Sequence, residues 1–104
     1  MGKTKLVICD DSAMARRQLF TALPQEWEVD VSFASNGREA LDLIRSGMGE
    51  VVFLDLTMPV MNGYEVLKQL RDESRQCSVF VVSADIQPQA VERVMNLGAL
   101  DFFS

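Results

Sequence analysis

Three short apolar runs, at residues 6–9, 51–54 and 79–82, limit the folds that are open to this chain. Each run has four residues, which is too short for a helix but long enough for a strand. A strand without polar alternation belongs in a parallel sheet that is covered on both faces. Residues 29–33 alternate apolar and polar side chains, as an edge strand does, and 100–103 reads as a last short strand. The pattern predicts an α/β fold.

Segments with helical spacing lie between these strands. Ser12, Asn36 and Asn62 precede the first three segments, and their side chains can cap a helix. A glutamate follows each asparagine by three residues, which is the capping-box spacing, and Pro88 suits the first turn of the fourth helix. The predicted helix ends lie near Pro24, Gly47 and Gly98. The resulting order is β-α-β-α-β-α-β-α-β, and right-handed crossovers turn it into an open, doubly wound sheet.

The composition excludes several functional classes. The chain has 104 residues, which suits one domain, and its net charge of −5 argues against nucleic acid or an anionic membrane as a direct partner. It has no histidine, and Cys9 and Cys77 lack metal-ligand spacing, so zinc sites and histidine-assisted nucleophiles are excluded. Two free thiols, no membrane-length apolar run and no signal-peptide pattern predict a cytoplasmic location.

Oxygen-bearing side chains follow three of the predicted strands. Asp10 and Asp11 end the first strand, Asp55 the third, and Ser83 the fourth. Ligands of open α/β sheets bind outside the carboxyl ends of the strands, so the three carboxylates should converge if the first and third strands are neighbours. Clustered carboxylates should raise at least one pKa, and hard oxygen ligands favour Mg²⁺. The alternative is that the aspartate pair is a solvated loop and Ser83 a cap.

Four stretches resemble the receiver domains of two-component response regulators, particularly the single receiver of chemotaxis. They are "VICDDS" (7–12), "FLDLTMPVMNGYEVL" (53–67), "VVSAD" (81–85) and "GALDFF" (98–103). The resemblance runs in register over essentially the whole chain. It implies a flavodoxin-like sheet of five parallel strands in the order 2-1-3-4-5. It also implies a cytoplasmic phosphoprotein of a phosphorelay, which assists its own phosphorylation and dephosphorylation but is not otherwise an enzyme.

The same resemblance assigns roles to the residues at the strand ends. Asp55 would accept a phosphoryl group from a kinase phosphohistidine. Asp11 would bind Mg²⁺ directly, Asp10 would bind it through water, and the backbone carbonyl of Thr57 would complete the protein ligands. The implied partners are a sensor histidine kinase or phosphotransfer domain, and small phosphodonors such as acetyl phosphate.

Two further residues resemble the parts of the family that change on phosphorylation. Ser83 would be the hydroxyl that binds the phosphoryl group, and Phe102 the aromatic that reorients with it. An isolated aromatic on a strand is more often part of the core, so Phe102 keeps both interpretations. Thr57 and Asp85 flank the site, where the family tunes dephosphorylation, and the small Ala84 should leave room for the phosphodonor.

Other residues near these motifs have structural and functional interpretations. Pro59 and Gly63 are expected to shape a loop, with Gly63 allowing a tight entry to the next helix. Met58 and Met61 are expected to pack or to contact a partner, and Cys9 to be a small buried hydrophobe. The adjacent arginines at 16 and 17 form either a solvated face or part of a kinase-docking surface.

Receivers normally continue past "GALDFF" with Lys-Pro and a fifth helix, whereas this sequence ends at Ser104. We therefore expect residues 1–104 to be a receiver without the final helix. The missing lysine should weaken phosphoryl-dependent switching. The apolar patch that the helix would cover should favour a homodimer or exchange of elements between copies.

Three alternatives share part of this pattern. A haloacid-dehalogenase-like phosphatase needs a second acid two residues after its nucleophile, where this chain has Thr57. A flavodoxin-like or dinucleotide-binding module would need glycine in the first loop, and "DDSAMAR" has none. A pseudo-receiver, acting only as a protein-interaction module, would be expected to lose the acids, and all are present.

Overall fold

The computed structural model describes residues 2–84 and 87–103, which form one sheet with helices packed against it. The elements are β1 (Thr4–Cys9), α1 (Ala13–Ala22), β2 (Val29–Ala34), α2 (Gly37–Arg45), β3 (Val51–Leu54), α3 (Gly63–Asp72), β4 (Ser78–Val82), α4 (Pro88–Asn96) and β5 (Asp101–Phe103). All strand pairs are parallel, in the order β2-β1-β3-β4-β5. The predicted element order and the strand order 2-1-3-4-5 are both confirmed.

The three apolar runs form the centre of the sheet. Val7 pairs with Val52, and Val52 with Val79, so three buried side chains lie side by side on one face. Residues of β2 and β5 are more exposed because each of these strands has a neighbour on one side only. The alternating run at 29–33 is therefore an edge strand, as its pattern predicted.

Helices α2, α3 and α4 supply most of the residues that cover this face. Each has a buried stripe, and together with the central strands the stripes make one contiguous core. The capping box at Asn62 and Glu65 is complete, as expected. At Asn36 the prediction was half right. Its side chain caps the Glu39 N–H, but the Glu39 carboxylate accepts bonds from the Ser35 N–H and hydroxyl instead.

Helix α1 packs on the opposite face, where its Phe20 ring meets Phe33 of β2 with 5.8 Å between centroids. Its amino end is capped by Ser12, as predicted, and the helix stops before Pro24. None of its residues is fully buried, although the sequence pattern indicated an apolar face. This face of the sheet is thus less well covered than the other. Within the described residues, no helix is long and apolar enough to cross a membrane.

Candidate functional site

Three aspartates meet at the carboxyl edge of the central strands. One carboxylate oxygen from each of Asp10, Asp11 and Asp55 lies within 4.8 Å of the others. The register explains this meeting, because Cys9 pairs with Leu54 and the next residue of each strand carries a carboxylate. The Asp55 N–H also donates to the Cys9 carbonyl at 3.0 Å, which continues the pairing by one residue. The sequence-based expectation that these side chains converge is therefore confirmed.

The cluster makes ionisation of Asp55 unfavourable. Its pKa is raised to about 6, first by burial and then by the charge of Asp10, although the N–H groups of Leu56 and Thr57 act in the opposite direction. The pKa of Asp10 is raised as well, mainly by burial, while a hydrogen bond from the Ser12 N–H at 2.9 Å opposes the rise. A cation would relieve the repulsion in this cluster.

The donor set fits a hard divalent cation. All three groups are carboxylates, and oxygen ligands are those that Mg²⁺ and Ca²⁺ prefer. Oxygens that ligate one Mg²⁺ ion octahedrally lie about 3 to 4 Å apart, and these three lie within 4.8 Å of one another, so rotation of the side chains can bring them to one ion. Asp11 is exposed and the other two are half-buried, so water can complete the coordination shell.

Ser83 and Phe102 lie towards the same edge of the sheet, on the neighbouring strands β4 and β5. Ser83 follows β4, is 7% exposed, and donates its N–H to the Phe103 carbonyl at 3.0 Å. Phe102 pairs with Val81 and is half-buried against the core, a position that suits both its interpretations. Ala84 is exposed, in keeping with an open approach to the site. Asp85, the other predicted flanking residue, lies outside the described residues.

The sequence matches the family model for the response regulator receiver domain over residues 6–104. This chain is a member of that family. As a receiver it takes part in two-component signalling, and the resemblance of its four motifs to the family is confirmed.

Curated relatives include both single receivers and larger enzymes. The chemotaxis protein CheY of Thermotoga maritima is 32% identical over 102 residues, which cover 98% of this chain and 84% of the relative. A protein-glutamate methylesterase/protein-glutamine glutaminase of Geobacter sulfurreducens is 36% identical over 103 residues, which cover 98% of this chain but 28% of the relative. The chain therefore spans less than a third of the methylesterases that it matches, and it matches only their receiver part.

Solved structures agree with this membership. A CheX-CheY-BeF3-Mg²⁺ complex from Borrelia burgdorferi contains a chain with a TM-score of 0.86 and 27% identity. The match covers 96% of this receiver and 76% of that chain.

The loop after β3 brings the backbone of the receiver close to Asp55. A Cβ atom on Gly63 would lie 2.5 Å from the Asp55 carbonyl oxygen and 2.9 Å from the Leu56 Cα. Glycine is therefore needed here for close packing, whereas the sequence-based interpretation had stressed backbone freedom. Val60 has φ of +68°, and the N–H of Met61 donates to the Pro59 carbonyl at 2.7 Å, so the loop contains a tight turn with a strained valine.

Two residues that support the site were missed by sequence reasoning. Arg16 is half-buried, and its guanidinium donates to the Asp10 carbonyl at 2.7 Å, so it holds the acidic loop as well as facing outward. Gly37 donates its N–H to the Met61 carbonyl at 2.9 Å, and a Cβ there would lie 2.2 Å from that oxygen. Neither contact has a local sequence signal. The Arg16 bond reaches back six residues across the loop after β1, and Gly37 and Met61 lie far apart in the sequence.

Cys9 and Met58 form a sulfur pair beneath the acidic cluster. The Cys9 Sγ lies 3.3 Å from the Met58 Sδ and 3.3 Å from the Asn36 carbonyl oxygen. Burial and the nearby carboxylates raise the pKa of Cys9 to about 12, so the thiol is not reactive at neutral pH. The prediction that Cys9 is a buried hydrophobe is confirmed, and of the two interpretations of Met58 the structure shows packing in the core.

Proposed function

We propose that this receiver accepts a phosphoryl group on the carboxylate of Asp55 and changes conformation to pass on the signal. The observation that carries the proposal is the position of Asp55, half-buried at the end of a central strand and beside two further carboxylates. With a pKa of about 6, Asp55 is largely ionised at pH 7 and can act as a nucleophile.

The transfer exchanges one bond to phosphorus for another. A carboxylate oxygen of Asp55 attacks the phosphorus of a kinase phosphohistidine, and a P–O bond forms as the P–N bond breaks. The imidazole nitrogen leaves with the electron pair and takes a proton from solvent. The N–H groups of Leu56 and Thr57 hydrogen-bond the Asp55 carboxylate and hold it in place for this attack.

The acidic cluster would hold Mg²⁺ during transfer. Asp11 and Asp55 would bind the ion directly, Asp10 would bind it through water, and the Thr57 carbonyl would complete the protein ligands. Bound Mg²⁺ would neutralise the charge on the transferring phosphoryl oxygens. Arg16, through its bond to the Asp10 carbonyl, keeps the acidic loop in the position that this arrangement needs.

The signal would leave the site through β4 and β5. The Ser83 hydroxyl would bind the phosphoryl group, and Phe102 would move further into the core in response. The N–H of Ser83 is bonded to the Phe103 carbonyl, so a shift of the loop after β4 pulls directly on β5. This coupling supports the assignment of Ser83 and Phe102 as the switch residues.

The phosphodonors would be a sensor histidine kinase or phosphotransfer domain, and small molecules such as acetyl phosphate, in the cytoplasm. A related structure contains CheY with BeF3 and Mg²⁺, which supports a site of the same kind here. We infer that the chain is a phosphoacceptor and does not act as an enzyme on a separate substrate.

Intact-mass spectrometry after incubation with Mg²⁺ and acetyl phosphate tests the proposal. One hydroxylamine-labile phosphoryl adduct is expected on the wild-type chain, and none on Asp55→Asn. Asp11→Ala should abolish most of the Mg²⁺-induced shifts in NMR spectra. Glu26→Gln, an exposed carboxylate away from the cluster, is the matched control and should behave like wild type. An adduct that persists in Asp55→Asn would refute the assignment of the acceptor.

A further inference from the structure

A long groove runs between α3 and α4, on the covered face of the sheet. Its upper part has a volume of about 570 Å³ and lies beside Tyr64, Lys68 and Arg93. A second cavity of about 180 Å³ shares Arg71, Asn96 and Leu97 with the first, so the two are continuous. Leu67, Leu70 and Val79 line the lower part and give the groove an apolar floor.

The charge of the groove is opposite to that of the chain. The chain has ten lysines and arginines against fifteen acidic residues. The charged residues lining the groove are four cations and two acids, namely Lys68, Arg71, Arg75, Arg93, Glu65 and Glu92. Glu65 is already engaged, because its carboxylate accepts the Asn62 N–H at 3.0 Å in the capping box. The groove is therefore a cationic strip on an acidic protein.

Three of the four cations are available to a partner. Among the described residues, neither Lys68 nor Arg93 has a carboxylate within 4.0 Å, and Arg71 meets only its exposed neighbour Asp72, at 3.8 Å. Such an exposed ion pair contributes little to stability, so Asp72 does not keep Arg71 from binding a partner. Arg75 differs, because it is paired with Glu73 at 3.1 Å.

The guanidinium of Arg93 is held in place across the groove. It lies 3.9 Å from the centroid of the Tyr64 ring, so a cation–π contact ties α4 to α3. A stacked guanidinium keeps its N–H donors in its own plane, where they can still bind carboxylates in a bidentate manner. Because the ring already restricts this side chain, binding would cost less conformational entropy than it would for a free arginine.

We propose that the α3–α4 groove docks an acidic amphipathic segment of a partner protein. Apolar side chains of the segment contact the half-buried Leu97, and its carboxylates bind Lys68, Arg71 and Arg93. Helix α3 has ten residues and is about 15 Å long, which matches a partner segment of about three helical turns. A nucleic acid fits less well, since two glutamates line the groove and the chain as a whole repels a polyanion.

A peptide titration followed by amide NMR tests the docking. The docking does not depend on a phosphoryl group on Asp55, so the unphosphorylated protein is sufficient. The probe is a synthetic peptide of about twelve residues with leucine and glutamate at helical spacing. Its control has lysine in place of each glutamate. The acidic peptide should shift the amides of residues 62–71 and 89–98, and the lysine peptide should not.

Charge-reversal variants then test the contacts. Lys68→Glu, Arg71→Glu and Arg93→Glu should each weaken the acidic peptide by about tenfold or more. Arg38→Glu, on the exposed surface of α2, should change its affinity by less than about twofold. Dispersed amide spectra of the variants show whether each is folded. If Arg93→Glu does not fold, Lys68→Glu still tests the contacts, because Lys68 is exposed. Equal binding of both peptides, shifts confined to other surfaces, or reversals without effect would each overturn the proposal.

Discussion

The carboxylate of Asp55, the proposed phosphoryl acceptor, lowers the stability of the folded protein when it is ionised. Its carboxylate is half-buried beside Asp10, and its pKa is raised from 3.8 to about 6. A carboxyl whose pKa is higher in the folded state binds its proton more tightly there. At low pH, where it is protonated in both states, this costs nothing. Stability is lost as the pH rises from 3.8 through about 6, because the unfolded chain gives up this proton first and the folded state must finally hold an unfavourable charge.

Asp55→Asn is therefore expected to stabilise the metal-free protein at pH 7. The gain should be about 1 kcal/mol, which is less than the full pKa shift implies because solvent screens a half-buried group. At pH 4 the variant and the wild type should differ much less. Urea denaturation at both pH values, without divalent cations, measures this, and the exposed Glu26→Gln should show no such difference. A variant that is less stable at pH 7 would contradict the expectation.

The residues that sequence patterns could assign were those whose role follows from strand position. Asp10, Asp11 and Asp55 directly follow strands, and in a parallel sheet that placement decides where they meet. Arg16 could not be assigned, because its second role depends on a backbone carbonyl that becomes reachable only once the loop is folded. Gly63 was predicted to shape the loop, but the close approach of the Asp55 carbonyl that requires glycine there exists only in the folded loop.

At the scale of elements, apolar periodicity predicted the strands and helices and their order along the chain, and capping residues predicted most helix starts. The order of the strands within the sheet followed from the resemblance to receivers. The contacts between helices were beyond the reach of the pattern. Arg45 at the end of α2 makes a bidentate ion pair with Glu73 just after α3. Gln69 and Arg75 also donate to the Glu73 carboxylate, at 2.9 and 3.1 Å. The i,i+4 spacing of Gln69 and Glu73 is local, but nothing in the sequence indicates that Arg45 meets Glu73, because this depends on the packing of α2 beside α3.

Glu73→Gln should weaken the link between α2 and α3 and lower stability at neutral pH. Hydrogen bonds from Arg45 and Gln69 lower the pKa of Glu73 to about 2, from 4.5. A lowered carboxyl pKa stabilises the folded state above the unfolded value, and that contribution disappears between about pH 4.5 and pH 2. The difference between wild type and variant should therefore be constant above pH 5 and shrink towards pH 2.

Urea midpoints measured across this pH range check the prediction. Glu92→Gln is the matched control, since this helical glutamate is exposed and has no ion pair among the described residues. A Glu73→Gln variant that tracks the wild type at every pH would show that the ion pair contributes nothing to stability.

At the scale of the whole molecule, the two faces of the sheet are covered unequally. Three helices supply buried side chains on one face, whereas α1 on the other face has none. On that less covered face, Phe53, Phe80 and Phe103 form a phenylalanine row across β3, β4 and β5, with centroids 5.9 and 6.2 Å apart. Phe103 is 48% exposed, and the other two rings are half-buried. Contiguous apolar surface of this kind usually marks an interaction site.

We predict that the 104-residue chain associates with a second copy through the phenylalanine row. A two-fold axis would set the row of one copy against the row of the other, because a surface of this kind is complementary to itself. Sedimentation velocity over a wide concentration range should show a reversible dimer for the wild type and a monomer for Phe103→Ser. Val60→Ser, which alters a more exposed apolar side chain at the carboxyl edge, should leave the dimer intact. A chain that stays monomeric at the highest concentration, or a dimer that survives Phe103→Ser, would show that the phenylalanine row is not a dimer interface.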